Sequence, residues 1–483
     1  MARRVDARTL YDLCGHDPDG LADYQVVEAV LGLGALARWW LRDGVLARAA
    51  AALRDPARAG FWGTRPALPA TRGGCWAVFA NENPGELRLL RDAFLLPLRW
   101  QADAEYSPLL PPELAAVARQ VEGKLRAERV SGLAGRRWGL RLACEGDHDA
   151  RDLSGLPLPA ASAAAALAAG LVVAAGGGKP DPTVCGSGVW SDAGGVGDVD
   201  HLKAKLRAAA DFGVRRFFVP QGMAGAARGA VAGWTEGVEI GALTQNETRL
   251  TAAAARYAAA LFARPGLADP FDTRRDYYRT QWLVDRDGAR SAYLDLLLAD
   301  VARQCRAEAL GQAGFAGVDH LVTIVSYNWE QVPQGLRVFR PRRCLLLYTA
   351  DLADECQEVL GRLAPGPHAE PPDGLDLPVR LPPTFPGEEE TTCLLSVRSF
   401  RGGEDMAADL DAQVRRFAGP RQARLLFDLT PGTKEMSIEL ITAVAGPHDL
   451  LTYARHKTEE GNFVVPGSQR YVERRPAGPG RRP

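Results

Sequence analysis

Pro159-Ala160-Ala161-Ser162-Ala163, running into the small-residue stretch Ala163–Gly170, and His201-Leu202-Lys203-Ala204-Lys205-Leu206 are the segments from which the chain reads outward. The first sets a serine at the head of a helix. The second is a lysine-bearing helix that feeds Gly213-Val214-Arg215-Arg216-Phe217-Phe218-Val219-Pro220, an apolar strand. At about 100° per residue, Leu202, Leu206 and Ala209 share one helical face, flanked by Lys205 and Phe212. Lys203, Arg207 and Asp211 point the other way. Lys203 therefore reads as solvated and Lys205 as part-buried. Apolar burial lowers an amine pKa, and a neutral amine can take the proton of a serine nucleophile. The residues alone leave two readings open: a Ser162–Lys205 hydrolytic dyad, or a capping serine beside a snorkelling lysine.

The stretch resembles the proteolytic domain of Lon proteases. That family carries its nucleophile in a Pro-x-x-Ser-Ala-Gly-like turn and its base on the second lysine of Gly-Gly-x-Lys-x-Lys-Leu-x-x-Ala. Pro159-Ala160-Ala161-Ser162-Ala163 and Leu202-Lys203-Ala204-Lys205-Leu206-Arg207-Ala208-Ala209 match these, with Lys205 following Ser162 by 43 residues. Phe212–Pro220 is similar to the strand that follows in the family. Ser187-Gly188 falls where the family has Thr-Gly, so the resemblance implies that Ser187 orients the Lys205 amine. Ala164 stands in place of a Gly, Asp200-His201 in place of two glycines, and Val189 in place of an acid.

The 483 residues suffice for two to four domains, and 46% hydrophobic content for ordinary cores. A net charge of −1 gives no electrostatic case for duplex nucleic-acid binding. Lysine occurs only at 124, 179, 203, 205, 434 and 457, so each one is informative. The eight cysteines form no Cys-x-x-Cys pair, which indicates neither zinc nor a disulfide framework; no metal is expected. The start Met-Ala-Arg-Arg-Val-Asp has no apolar signal segment behind it, and Ala160–Gly177 is too weakly hydrophobic for a membrane span. A cytoplasmic protein without membrane contact is expected. Gly176-Gly177-Gly178-Lys179-Pro180 is not a phosphate loop, and no Walker motif occurs in the chain. Any proteolysis is therefore expected to be ATP-independent.

Taken in order, Tyr24–Arg42 and Val45–Leu53 carry helical spacing. Cys75–Ala80 reads as a strand, Gly85–Leu96 as a helix, Pro111–Glu128 as a helix and Trp138–Cys144 as a strand. The acidic loop Glu145–Pro157 contains Asp147 and His148, which read as solvated rather than as part of a triad. Gly237–Leu243 reads as a strand, Thr251–Phe262 as a helix, Pro265–Thr273 as a linker and Asp276–Leu310 as a helix pair or bend.

From His320 strands alternate with helices. Leu321–Val325, Cys344–Tyr348, Cys393–Val397, Arg424–Asp428 and Leu450–Ala454 are strands; Asp354–Leu363, Asp405–Phe417 and Lys434–Ala445 are helices. This indicates a parallel sheet with ligands at its strand carboxyl ends. Asp428-Leu429-Thr430-Pro431-Gly432-Thr433-Lys434 joins a strand to a helix N-terminus, where N–H groups, hydroxyls and an ammonium make either an anion site or a plain cap. The region resembles the CRISPR-associated Rossmann-fold (CARF) sensor domain. Asp428–Met436 matches that family's Asn/Asp-Leu-Thr-Gly-Gly-Thr-Lys-x-Met, with Pro431 for one Gly. Ser326-Tyr327-Asn328-Trp329-Glu330-Gln331-Val332-Pro333 lies where the family has its other ligand loop, and Phe339–Thr349 is similar to its Pro-x-x-hydrophobic-Tyr-Thr second strand. The resemblance implies a cyclic oligoadenylate ligand, the tetra-adenylate ring being the size expected. It implies binding by Ser326, Tyr327, Asn328, Trp329, Thr349, Thr430, Gly432, Thr433, Lys434 and Met436. Tyr327 or Trp329 would stack on adenine and Lys434 would meet a phosphate.

The expectation is a multidomain α/β chain: a helical N-terminal region of unassigned function (1–74), a Lon-like α+β protease domain (75–265), a helical connector (266–316) and a CARF-like Rossmann sensor (317–483). The resemblances imply a serine endopeptidase of type III CRISPR antiviral defence. It would have no cofactor, would be activated allosterically by a cyclic oligoadenylate and would cleave a specific partner protein encoded nearby. The sensor would make a homodimer, with larger assembly on activation. The alternatives are a ligand-responsive scaffold with an inactive Lon-like domain, and a ligand-activated nuclease, for which no Asp…Glu-x-Lys pair or basic stripe is present.

Overall fold

The computed structural model describes residues 19–85, 87–130, 132–143, 152–156, 158–312, 315, 318–364, 374–419, 424–431, 434–445, 449–459 and 463–474. The chain divides into two compact units, Met1–Asp285 and Arg286–Pro483. The division falls inside the expected connector: helix Phe271–Trp282 belongs to the first unit, and helices Arg286–Leu296 and Leu298–Leu310 to the second.

In the first unit, helices Asp23–Leu33, Ala37–Trp40, Asp43–Leu53 and Pro56–Gly63 precede an antiparallel sheet of β1 (Gly74–Ala80), β2 (Ala93–Ala102) and β3 (Trp138–Leu142). β4 (Val184–Gly186), the hairpin strands β5 (Val189–Ser191) and β6 (Gly195–Gly197), β7 (Arg216–Pro220) and β8 (Glu239–Leu243) follow; β4, β7 and β8 form a parallel sheet. The expectation of a helix over Gly85–Leu96 is corrected by β2. Ala93-Phe94-Leu95-Leu96 has no polar face, and such a short apolar run suits a buried strand as well as a helix. Pairing with β1 decides it, with Leu95 opposite Val78 and Phe94 opposite Phe79. Pro97 sits mid-strand without an N–H, and its carbonyl accepts from Ala143 N at 3.0 Å. The expected helix Tyr24–Arg42 breaks at Gly34, whose φ is 56°. Residues 23–63 do not form a core of their own. Trp40 is buried against Phe94 and donates from its indole N–H to Leu95 O at 3.1 Å, while Trp39 stacks on Phe212 at 4.9 Å.

The centre of this unit is the buried helix Ala164–Ala175. Its small residues let the backbone come close to β1: a Cβ on Gly170 would lie 2.5 Å from Cys75 Cβ. Helix Pro112–Ala127 and helix Ala255–Leu261 also pack against it.

In the second unit a seven-stranded sheet is built from β9 (His320–Ile324), β10 (Arg343–Tyr348), β11 (Asp376–Leu381), β12 (Thr391–Ser399), β13 (Leu425–Asp428), β14 (Leu450–Arg455) and β17 (Arg470–Arg474), with β15 (Thr458–Glu459) and β16 (Phe463–Val464) as a small ribbon. The order is β11-β12-β10-β9-β13-β14-β17. The five inner strands are parallel, and β11 and β17 are antiparallel edges. The chain winds from β9 outward to β12, then crosses to β13, so the strand order reverses between β9 and β13. On one face Val322, Ile324, Leu345, Leu347 and Phe427 pack with Leu410, Val414 and Phe417 of helix Met406–Ala418. The expected helix Lys434–Ala445 turns π-helical over Leu440–Val444. Among the described residues no helix is long and apolar enough to cross a membrane.

Candidate active site

Ser162 lies in the 3₁₀ turn Ala160–Ala163 that leads into helix Ala164–Ala175. The turn is latched to the link between β4 and β5. Gly188 N donates to Ser162 O at 3.0 Å, and Ala165 N donates to Gly188 O at 3.1 Å. Gly188 permits this approach, because a Cβ there would lie 2.9 Å from Leu243 Cδ1 and 3.2 Å from Ala165 Cβ. Ser187, expected to orient the Lys205 amine, makes a contact with the serine itself: its buried hydroxyl donates to Ser162 O at 3.1 Å. It therefore fixes the backbone of the serine.

Lys205 sits on helix Leu202–Asp211, with Lys203 exposed and Lys205 only 3% exposed. Its Nζ is 3.0 Å from Ser162 Oγ, and Ser162 is 8% exposed. Burial pushes the amine from 10.5 down to about 8, against the pull of the Asp200 and Glu82 carboxylates. The helix begins at His201, which adopts φ 54°, ψ 35° and offers no side-chain cap. That left-handed conformation costs a non-glycine residue about 1–2 kcal/mol.

Asp147 and His148 lie outside the described residues, as do Gly432, Thr433 and the side chain of Lys434. Among the described residues no group of three or more His, Cys, Asp or Glu is arranged to hold a metal.

In the second unit the two loops expected to bind ligand leave adjacent parallel strands, β9 and β13, at the point where strand order reverses. In open α/β sheets that crevice is the usual ligand site. Ser326 and Trp329 are buried, whereas Tyr327 is 62% exposed and Asn328 is exposed. Of the two aromatics expected to stack on a base, only Tyr327 presents its ring to solvent. Thr349 is buried at the end of β10, with no hydrogen-bond partner for its hydroxyl among the described residues, and Met436 is buried.

Sequence reasoning did not find Asp428 as a buried group. It is 1% exposed, and burial raises its carboxyl from 3.8 to about 6. Oδ1 accepts from Thr430 N at 3.0 Å and Thr430 Oγ1 at 2.5 Å. Thr430 Oγ1 in turn accepts from Ala454 N at 2.8 Å, tying the loop to β14. Oδ2 is turned toward Gly335, where a Cβ would lie only 2.8 Å away. The proximity of residues 335 and 428 is a tertiary fact with no local sequence signal.

No family model matches the chain, and no curated protein has a matching sequence.

Proposed function

We propose that the chain is a cyclic oligoadenylate-activated, ATP-independent serine protease of type III CRISPR antiviral signalling, acting in the cytoplasm on a specific partner protein. The observation that carries the reading is the buried Ser162–Lys205 pair, 3.0 Å apart, with the amine held near 8 by desolvation. At pH 7 such a lysine is neutral in about one molecule in ten, against about one in three thousand at its ordinary value. Ser162 Oγ attacks the peptide carbonyl while Lys205 takes its proton, then returns it to the leaving amine. Water enters with Lys205 again as base and releases the acyl group. Backbone N–H groups of the serine turn hold the oxyanion.

The trigger is the second unit, acting as a homodimeric sensor. Support comes from the pairing of strands β9 and β13, which the two loops follow, and from the exposed Tyr327 ring on the first of those loops. The test is incubation of the purified chain with cyclic tri-, tetra- and hexa-adenylate and with proteins encoded beside it. Cleavage is followed by gel and mass spectrometry, with Ser162→Ala and Lys205→Ala as controls. Cleavage that one ring size triggers and both variants lose is expected. Full ligand-dependent cleavage by either variant overturns the dyad.

A further inference from the structure

The second unit begins with helix Arg286–Leu296, which follows directly in the chain from helix Phe271–Trp282. The latter is anchored in the first unit: Gln281 Nε2 donates to Ala259 O at 2.8 Å, and Tyr277 packs edge-on against Phe262 at 5.3 Å. Helix Arg286–Leu296 is bound to the Ser326–Glu330 loop by one guanidinium. Arg290 donates through one terminal nitrogen to the carbonyl of Tyr327, and its Nε lies 3.5 Å from Glu330 Oε2. Its other terminal nitrogen meets the largely exposed Asp287 at 3.2 Å. Both Arg290 and Glu330 side chains are mostly buried, at 15% and 10% exposure. One turn further on, Tyr293 Oη donates to Gln334 Oε1 at 2.5 Å, on the helix that leaves the same loop. The helix is also held from the side by Arg362, which donates to Ser291 Oγ at 2.8 Å.

This helix thus touches both ends of the loop that carries the exposed Tyr327 ring. The Arg290–Glu330 contact is also incompletely satisfied. At 3.5 Å it is an ion pair without hydrogen-bond geometry, and Glu330 Oε2 has no hydrogen-bond partner among the described residues. A buried pair of this kind sits near balance between desolvation and attraction, so a small shift of the loop redistributes it. We propose that Arg290 is the coupling residue of the chain: it reads the position of the Tyr327–Glu330 loop and passes it to helix Arg286–Leu296, the element through which the second unit joins the first. The inference rests on the sensor reading above and adds to it the route by which the trigger leaves the sensor.

The experiment uses the full chain and cyclic tetra-adenylate. Ligand affinity is measured by calorimetry. Output is the rate of Ser162 acylation by a fluorophosphonate probe, located by mass spectrometry, with and without the ring. Variants are Arg290→Ala, and Arg290→Ala with Glu330→Gln so that no carboxylate is stranded. Asp287→Ala, on the exposed arm, serves as control. The expected result is a ligand Kd within about threefold of wild type and a ligand-induced rate gain reduced about tenfold or more, within the usual range of site-to-site coupling. Asp287→Ala behaves as wild type. Variants that respond to the ring as wild type does overturn the coupling role while leaving the sensor intact. Loss of binding in both variants also overturns it, because Arg290 is then part of the ligand site or its support. A wild-type chain that does not bind the ring removes the sensor reading itself.

Discussion

Replacing Lys205 by methionine keeps an unbranched side chain of similar length and removes only the amine. In the folded chain Lys205 is 3% exposed and burial moves its amine from 10.5 to about 8. Below pH 8 such a displacement is a penalty of about 3.4 kcal/mol on the folded state. The variant also loses the contact with Ser162 Oγ, worth about 1 kcal/mol. At pH 7 the substitution should therefore stabilise the first unit by about 2 kcal/mol, or roughly 4–8 °C in its thermal midpoint. The direction with pH is fixed by the depressed pKa. Between about 8 and 10.5 the unfolded chain binds a proton that the folded chain has lost, so wild-type stability rises with pH while the variant lacks that slope. At pH 9.5 the remaining penalty is about 1.4 kcal/mol, and the lost contact offsets most of it. Calorimetric melts of both proteins at pH 7 and pH 9.5 measure the difference. A variant less stable than wild type at pH 7, or an advantage that does not shrink by pH 9.5, would show that Lys205 is not a desolvated base and would remove the physical ground for the dyad.

The same titration governs reactivity. The rate of Ser162 acylation should climb about tenfold per pH unit below pH 8 and level off above it, with Lys205→Arg reduced by about a hundredfold or more because a guanidinium does not deprotonate; stopped-time labelling across pH 6–10 reads this. His201→Gly should stabilise the first unit by about 0.5–1 kcal/mol, since glycine accepts the left-handed start of helix Leu202–Asp211 without strain, and a urea unfolding midpoint checks it. Asp428→Asn should stabilise the second unit at pH 7 and not at pH 3.5. With the folded carboxyl raised from 3.8 to about 6, wild-type stability falls by about 3 kcal/mol as pH rises through that window, and the amide has no such slope. Urea unfolding at the two pH values measures it.

Helical periodicity was enough to separate Lys203 from Lys205, because a ten-residue amphipathic helix states which side is buried. Alternation of strands and helices after His320 was enough for the parallel sheet, though not for β11 and β17. Those antiparallel edges pair within short stretches of chain, β11 with β12 and β17 with β14, and neither pairing has the helical crossover that announces a parallel neighbour among the described residues. Gly85–Leu96 failed for a local reason: its end, Ala93–Leu96, is apolar and buried throughout and has no period to read. Ser187 was read by position in a motif, and only the fold shows that its hydroxyl reaches the serine's own carbonyl.

What sequence physics could not supply is also where the chain departs from its own rules. A lysine is buried without a carboxylate in hydrogen-bond contact, a histidine starts a helix in a conformation suited to glycine, and an aspartate closes a strand with one oxygen facing a helix backbone. Each is unfavourable by about 1–3.5 kcal/mol in isolation, and each lies in one of the two places where chemistry is expected, the Ser162–Lys205 pair with the helix that carries its lysine and the β13 loop. A fold has no need of any of them. Stability alone would favour methionine in place of Lys205, glycine in place of His201 and asparagine in place of Asp428. The presence of the costlier residue at all three positions is itself a reason to hold that these two sites are used.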